Sequence, residues 1–268
     1  MVNLFETQLI NTTLQSSKGN QLKWYDGYNW YKADNNGYEG LSEFVVSKLL
    51  KKTSLIKDDY VEYEIEEIEY HNRIYLGCKS SNFLKPNQRL ITLQRLYQSA
   101  YGGEIGDEID QISNTKEKCV RLIDIVSQLT GIKDFGVYLL DLLKIDALFL
   151  NEDRHFHNIA FIEENGKFKN CPIFDNGAAL LSDTKLDYSL QEDELKMIKQ
   201  VKSKTIIEDF DEQLNVLEQM YKSRLTFDFS DQDIIEIVNK AVLYNEKIRK
   251  RVIRILISQR QRYLYYFN

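Results

Sequence analysis

Residues 146–177 constrain the fold of this chain more than any other stretch, because they place a helix, a polar loop and a hairpin in direct succession. An apolar helical run over 137–150 ends in a cluster of charged residues. A β-branched strand over 159–162 follows, and Asn165-Gly166 leads into a return strand over 167–174. Asn-Gly is a favoured two-residue hairpin turn. The loops before and after this hairpin are therefore expected at one end of a small sheet.

Those two loops contain side chains with the chemistry of phosphoryl transfer. Asp153 can accept or orient an attacking hydroxyl, and Asn158 and Asp175 can hold Mg²⁺ through oxygen atoms. The spacing of five from Asp153 to Asn158 is that of the protein-kinase catalytic loop, and an Asp-x-Gly follows at Asp175. Such catalysis depends mainly on positioning and charge neutralisation. The pattern predicts an ATP- and Mg²⁺-dependent kinase, the alternative being an ordinary acidic loop before a hairpin.

The motifs resemble those of the HipA-like serine/threonine kinases of bacterial toxin–antitoxin systems. Two stretches carry the resemblance: Asn151-Glu-Asp153-Arg154-His155-x-x-Asn158 and Pro172-Ile-Phe-Asp175-Asn-Gly177. The Asp-Arg-His-x-x-Asn core is also similar to that of the phosphoinositide kinases. The resemblance implies Asp153 as catalytic base and Asn158 and Asp175 as Mg²⁺ ligands. His155 would order the loop in the first family or take part in catalysis in the second.

A second motif lies near the N-terminus, in Ser16-Ser17-Lys18-Gly19-Asn20-Gln21-Leu22-Lys23. A loop of this composition can direct backbone N–H groups at phosphates, Gly19 among them. It resembles the Ser-x-x-Gly-x-Gln-x-Lys phosphate loop of HipA-like kinases, whose leading serine is autophosphorylated. That serine would be Ser16, with Ser17 as the alternative, while a plain surface turn would have the same composition.

The next polar pair is a lysine on a strand and a glutamate on a helix. Lys32 lies near the end of a strand over 28–33, where kinases keep a phosphate-binding lysine. Apolar residues at 41, 44, 45, 49 and 50 predict an amphipathic helix. Glu43 is expected in its first turn, where the helix dipole favours an acid. We expect Glu43 to hold Lys32 in place, with Glu39 as the alternative partner. A solvated glutamate and a solvent-facing lysine are the other possibilities.

The remaining pattern completes a two-lobed, protein-kinase-like α+β fold. Residues 1–80 are expected to form a small antiparallel β N-lobe with one helix, and residues 81–268 a larger helical C-lobe. Helices are predicted at 88–100, 113–130, 134–150 and over much of 191–224, with a last long helix from 230 to about 262. That last helix is rich in Lys and Arg, which is typical of a solvated face, a docking surface being the alternative.

Composition limits location and partners. The start lacks a signal peptide, no apolar run is long enough for a membrane helix, and the three cysteines lie far apart. We therefore expect a cytoplasmic protein with no membrane partner. A net charge of −6 argues against direct nucleic-acid binding, so any nucleic-acid association is expected to be indirect.

The resemblance also bears on substrates and partners. It implies a protein substrate with Ser/Thr acceptors, and an antitoxin-type partner. Full-length HipA proteins carry an additional subdomain before the phosphate loop, and we expect a relative that lacks it, since only about 15 residues precede the loop here. A phosphoinositide or small-molecule kinase, and a nucleotide-binding pseudokinase or interaction module, are the alternative functions.

Overall fold

The computed structural model describes residues 1–10 and 21–268. Its first sheet is built from β1 (Val2–Asn3), β2 (Lys23–Tyr25), β3 (Asn29–Ala33), β4 (Glu64–Tyr70) and β5 (Arg73–Ser81). The order within the described residues is β1-β4-β5-β3-β2, with β1 parallel to β4 and the other pairs antiparallel. This sheet and the helix that packs on it form the smaller lobe.

Helix α1 (Glu39–Leu50) connects the smaller lobe to the rest of the molecule. Its apolar positions recur on more than one face, and nearly all of its side chains are buried. One side packs on β3, β4 and β5, and its apolar residues also belong to the main core of the helical lobe. The helix therefore has no solvated face of the usual kind, which fixes it between two packed layers.

The larger lobe consists mainly of helices around α5, with a three-stranded sheet against them. The helices are α2 (Leu93–Tyr101), α3 (Ile105–Asp110), α4 (Thr115–Thr130), α5 (Phe135–Phe149), α6 (Glu194–Met197), α7 (Phe210–Met220), α8 (Asp231–Asn239) and α9 (Glu246–Arg262). The strands are β6 (Arg89–Thr92), β7 (Ala160–Glu164) and β8 (Lys167–Asn170), in the order β6-β7-β8. Among the described residues, no helix is long and apolar enough to cross a membrane.

The hairpin at the centre of the sequence forms where it was predicted, with a return strand that ends at Asn170 rather than at 174. Strands β7 and β8 are antiparallel, and Asn165 and Gly166 both have positive φ angles, 53° and 76°. Positive φ at both central residues defines the turn that matches strand twist, and Asn-Gly suits it. The antiparallel pair returns the chain to the end of the sheet where the loop after α5 lies.

Three predicted elements differ in the structure. Residues 89–92 form β6 rather than the start of a helix, because this β-branched stretch pairs with β7 and Arg89 bonds Glu163 at 2.6 Å. The stretch 191–224 is helical only in α6, a short 3₁₀ turn and α7. The predicted last helix is two helices, because Asn245 caps α9 by accepting from the N–H of Ile248. The shorter helices leave more of the lobe in loops than periodicity alone indicates.

Candidate active site

A cleft of about 630 Å³ lies between the first sheet and the helical lobe. Lys23 and Trp30 line it from the sheet, Asp153 and Asn158 from the loop after α5, and Asp175 from the segment after β8. Residues from three separate parts of the chain thus converge on one space. Its volume suits a ligand of nucleotide size.

Lys32 joins the two lobes through Asp175, which lines this cleft. Its Nζ lies 2.6 Å from Oε1 of Glu43 and 2.7 Å from Oδ1 of Asp175. The other oxygen of Glu43 accepts from the backbone N–H of Asn176 at 2.8 Å. Burial on its own lowers the pKa of Lys32, but the two carboxylates more than offset it and raise that pKa well above its usual value. Lys32 is therefore a fixed positive charge.

Asp175 is held in an unusual backbone conformation beside that charge. Its φ is 60°, in the left-handed region that few residues other than Gly, Asn and Asp adopt. Burial alone raises the pKa of Asp175, but the ammonium of Lys32, together with Lys23 and Arg154, holds it far below its ordinary range. The carboxylate is thus ionised at neutral pH, as a metal ligand must be.

The loop over 151–158 is built around the buried guanidinium of Arg154. This side chain pairs with Asp146 at 3.0 Å and donates to the backbone oxygens of Asn158 at 3.1 Å and Phe174 at 2.7 Å. It also donates to Oδ1 of Asn176 at 2.8 Å. Arg154 therefore holds the loop against the segment that carries Asp175.

Within this loop, Asn158 closes the turn that presents Asp153. The Asn158 Nδ2 donates to the backbone oxygen of Asp153 at 2.8 Å, and the amide oxygen of Asn158 takes no part in this bond. The Asp153 carboxylate has one oxygen 3.2 Å from Nζ of Lys204 and the other 3.8 Å from Nε2 of His155. Nδ1 of His155 accepts from the N–H of His157 at 3.2 Å.

The charge state of His155 follows from its surroundings. Burial lowers the pKa of His155. The neighbouring Asp153 raises it, but only partly offsets the effect of burial. Since an unperturbed histidine already titrates near 6.5, His155 is neutral at pH 7. Its Nδ1 accepts a hydrogen bond from within the loop, so its proton lies on Nε2, on the side of Asp153. These contacts join His155 to His157 and Asp153 within the loop.

The structure decides between the two candidate partners of Lys32. Glu39 accepts from the backbone N–H groups of Asn36 at 2.6 Å and Gly37 at 3.0 Å, at the start of α1. Glu43 is the residue that pairs with Lys32, and it lies in the second turn, since α1 begins at Glu39. The prediction that Glu43 lies in the first turn was therefore wrong. Burial of its side chain, and not the helix dipole, accounts for the position of Glu43. Ser16, Ser17 and Gly19 lie outside the described residues.

Two lysines at the site were not singled out from the sequence. Lys23 lines the cleft and contributes to the low pKa of Asp175. The sequence signal for Lys23 was its position at the end of the phosphate-loop motif. Lys204, which contacts Asp153 across 51 residues of sequence, had no signal, because an exposed lysine in a polar stretch is unremarkable.

The oxygen atoms of Asn158 and Asp175 fit a hard cation such as Mg²⁺. Over residues 1–10 and 21–268, no three His, Cys, Asp or Glu side chains converge to hold a metal by themselves. An amide and a carboxylate suit Mg²⁺ because this ion usually takes one or two protein ligands and completes its shell with waters and substrate phosphates.

Solved structures with the same fold exist. A Helicobacter pylori proinflammatory kinase, CtkA, superposes with a TM-score of 0.64 over 97% of this chain and 94% of that chain, at 16% sequence identity. The toxin HipA of Shewanella oneidensis MR-1, solved with HipB and operator DNA, gives a TM-score of 0.50 over 94% of this chain, at 13% identity. This chain spans 65% of that HipA chain.

Sequence comparison adds nothing to this, since no family model and no curated protein matches. The structural likeness shows that the chain has the two-lobed α+β fold of HipA-like kinases, with a small sheet lobe and a larger helical lobe. The predicted fold is confirmed.

Proposed function

We propose that this protein is an ATP- and Mg²⁺-dependent kinase that phosphorylates Ser or Thr hydroxyls on a protein substrate. The observation that carries the proposal is the pair of contacts of Lys32, which meets both Glu43 and Asp175. Asp175 lines the same cleft as Asp153 and Asn158. A lysine, its glutamate and a metal-binding aspartate brought together in this way are the parts that protein kinases need in place for activity.

The residues divide the work of one in-line displacement. The acceptor oxygen forms a bond to the γ-phosphorus as the bond from that phosphorus to the β–γ bridging oxygen breaks, and the electron pair leaves with ADP. Asp153 takes the proton of the acceptor hydroxyl. Lys32 and Lys23 bind the phosphate oxygens, while Asn158 and Asp175 would hold the metal. Mg²⁺, when bound, supplies charge neutralisation at the phosphates.

The proposal includes the residues and partners inferred from the sequence. Gly19 would contact the phosphates, and Ser16 or Ser17 would be the site of autophosphorylation. The lobes would divide near residue 80, and the protein would act in the cytoplasm. An antitoxin-type partner is proposed because the HipA structure contains HipB, and any contact with DNA would then be indirect.

The decisive experiment is ³²P transfer from γ-labelled ATP with Mg²⁺, comparing the wild type with Asp153→Asn and Asp175→Asn. Each substitution keeps the shape of the side chain and removes its charge, so labelling should fall by a factor of about 10² to 10⁴. Asp110→Asn is the matched control, because that side chain is 79% exposed and pairs with Lys118. Neither residue lines the cleft.

The outcomes separate the parts of the proposal. Labelling of the protein itself or of a basic protein, lost in both variants and kept in the control, supports it. Labelling of inositol lipids alone would contradict the protein-kinase part and leave phosphotransfer standing. If ATP neither turns over nor raises the melting temperature, the kinase proposal is wrong, because a ligand of the folded state must stabilise it.

A further inference from the structure

The chain over 201–206 is fixed to the catalytic loop from outside the cleft. Val201, Ser203 and Thr205 are buried and alternate with two exposed lysines. The Ser203 N–H donates to the Glu208 carbonyl at 2.9 Å, which closes a bend over 204–208. The Thr205 hydroxyl donates to the backbone oxygen of Arg154 at 2.7 Å. Gln213, fully buried on α7, donates to the Ser203 hydroxyl at 3.1 Å. The backbone on either side of residue 204 is therefore held in place.

This anchoring directs one of the two lysines at the catalytic carboxylate. The Nζ of Lys204 lies 3.2 Å from Oδ1 of Asp153, and the Lys204 side chain is 45% exposed. Lys202, two residues earlier, pairs with Glu208 at 2.5 Å and is 65% exposed. Two lysines of one short segment thus have different surroundings, and only Lys204 contacts the loop that lines the cleft.

The two partners of this ion pair differ in exposure, since the Asp153 side chain is 13% exposed and the Lys204 side chain 45%. An acceptor hydroxyl that gives its proton to Asp153 must lie within hydrogen-bond distance of that carboxylate. The ammonium of Lys204 is then roughly 6 Å or less from the acceptor oxygen, by the sum of two hydrogen-bond lengths. The four-carbon stem of lysine allows its ammonium to reach a neighbouring phosphoryl oxygen without movement of the backbone.

Resting on the proposed function, we propose that Lys204 is a catalytic residue that binds the γ-phosphoryl group during transfer. The Lys32 side chain is 13% exposed and pairs with Glu43 and Asp175, whereas the Lys204 side chain is 45% exposed beside Asp153. Its ammonium donates hydrogen bonds to the non-bridging oxygens as the phosphoryl group moves from ADP to the acceptor, and it gives up no proton. Fixed donors at developing charge are a large source of catalysis.

The test measures binding as well as turnover. Affinities for Mg²⁺–ADP and for the non-hydrolysable Mg²⁺–AMP-PNP are determined by calorimetry for the wild type, Lys204→Ala, Lys204→Arg and the control Lys202→Ala. Lys204→Ala should weaken AMP-PNP about tenfold and leave ADP unchanged, since only AMP-PNP has the γ-group. Transfer should fall roughly a hundredfold. Lys204→Arg should recover part of both losses, and Lys202→Ala should match the wild type.

Three results would overturn the inference. Unchanged AMP-PNP affinity and transfer in Lys204→Ala would show that Lys204 is dispensable, with the proposed function intact. An equal loss of both nucleotides with a lower melting temperature would show that Lys204 acts through the structure of the loop. A wild type that binds neither nucleotide would remove the proposed function, and the role of Lys204 with it.

Discussion

Arg154 shows at the scale of one residue how the site is kept in order. Its guanidinium is enclosed, and its donors reach Asp146, two backbone oxygens and the side chain of Asn176. Burial raises the pKa of Asp146, and the charge of Arg154 only partly offsets it. The planar fork of arginine meets acceptors in several fixed directions, which a lysine ammonium cannot do from one point. The directions of these acceptors therefore require an arginine at this position of the motif.

We expect Arg154→Lys to destabilise the fold by about 3–5 kcal/mol, because it leaves buried acceptors without partners. Urea denaturation followed by circular dichroism measures this as a lower midpoint. Arg224→Lys is the control, since that side chain is 70% exposed and should change stability by less than about 0.5 kcal/mol. Equal midpoints for the two variants would mean that the enclosed hydrogen bonds of Arg154 do not stabilise the loop.

At the scale of elements, α1 is held by the segment that follows Asp175. The Ser42 hydroxyl donates to the backbone oxygen of Ala179 at 2.9 Å, and the Tyr38 hydroxyl donates to that of Leu180 at 2.6 Å. Both bonds are buried, so breaking them without replacement is costly. On its other side, α1 meets β5 so closely that a Cβ on Gly40 would lie 2.5 Å from the carbonyl carbon of Gly77. The distance between α1 and the sheet therefore determines whether Glu43 can reach Lys32.

Gly40→Ala should therefore move α1 away from the sheet and weaken the Lys32–Glu43 pair. We expect a loss of about 1–3 kcal/mol in stability, as for other overpacked sites, together with weaker ATP binding. Thermal unfolding with and without ATP measures both effects.

Gly106→Ala is the matched control, because Gly106 is also helical and a Cβ there would meet nothing within 4 Å. It should be neutral or stabilise by roughly 0.5–1 kcal/mol, since alanine is the better helix former. A Gly40→Ala protein as stable as Gly106→Ala would contradict the close packing of α1 on β5.

At the scale of the whole molecule, Asp34 joins the two lobes. It follows β3, accepts from the N–H of Gly40 at 2.6 Å, and accepts from the hydroxyl of Tyr244 at 2.8 Å. Tyr244 lies between α8 and α9, 210 residues along the chain. Burial, with a smaller effect of Glu39, raises the pKa of Asp34 to about 7. The contact between the lobes therefore includes a carboxyl group that is hard to ionise.

This raised pKa makes stability depend on pH. The folded-state pKa of about 7 exceeds the ordinary value of 3.8. Between these two pH values the folded protein therefore binds more protons than the unfolded protein does. The stability contributed by neutral Asp34 is complete below pH 4 and is lost as the pH rises through 7. Asp34→Asn, which is neutral at every pH, should be more stable than the wild type by roughly 1–3 kcal/mol at pH 8, and much closer to it at pH 5.

Chemical denaturation at pH 5 and pH 8 checks this prediction. The exposed Asp110→Asn variant is the control, and its difference from the wild type should be small at both pH values. A difference between Asp34→Asn and the wild type that is the same at pH 5 and pH 8 would contradict the titration of Asp34 between them.

The sequence by itself predicted the elements whose signal is short-range. The helix, loop and hairpin over 146–177, the strand with Lys32 and the helix with Glu43 follow from periodicity, turn residues and motif spacing, which need no distant contact. It failed where a partner decides the structure. Residues 89–92 are a strand only because β7 lies beside them, and the predicted last helix divides at 240–245, where Tyr244 meets Asp34.

Which polar side chains meet depends on the long-range packing of the fold. Glu39 and Glu43 are equivalent in sequence, and packing of α1 between two layers directs Glu43 to Lys32, while Glu39 accepts from the backbone N–H groups just before the helix. Lys204 and Lys202 are equally unremarkable, and the burial of Ser203 and Thr205 directs the first at Asp153. A charged side chain has no local preference that fixes its partner, so its position depends on long-range packing of the backbone that carries it.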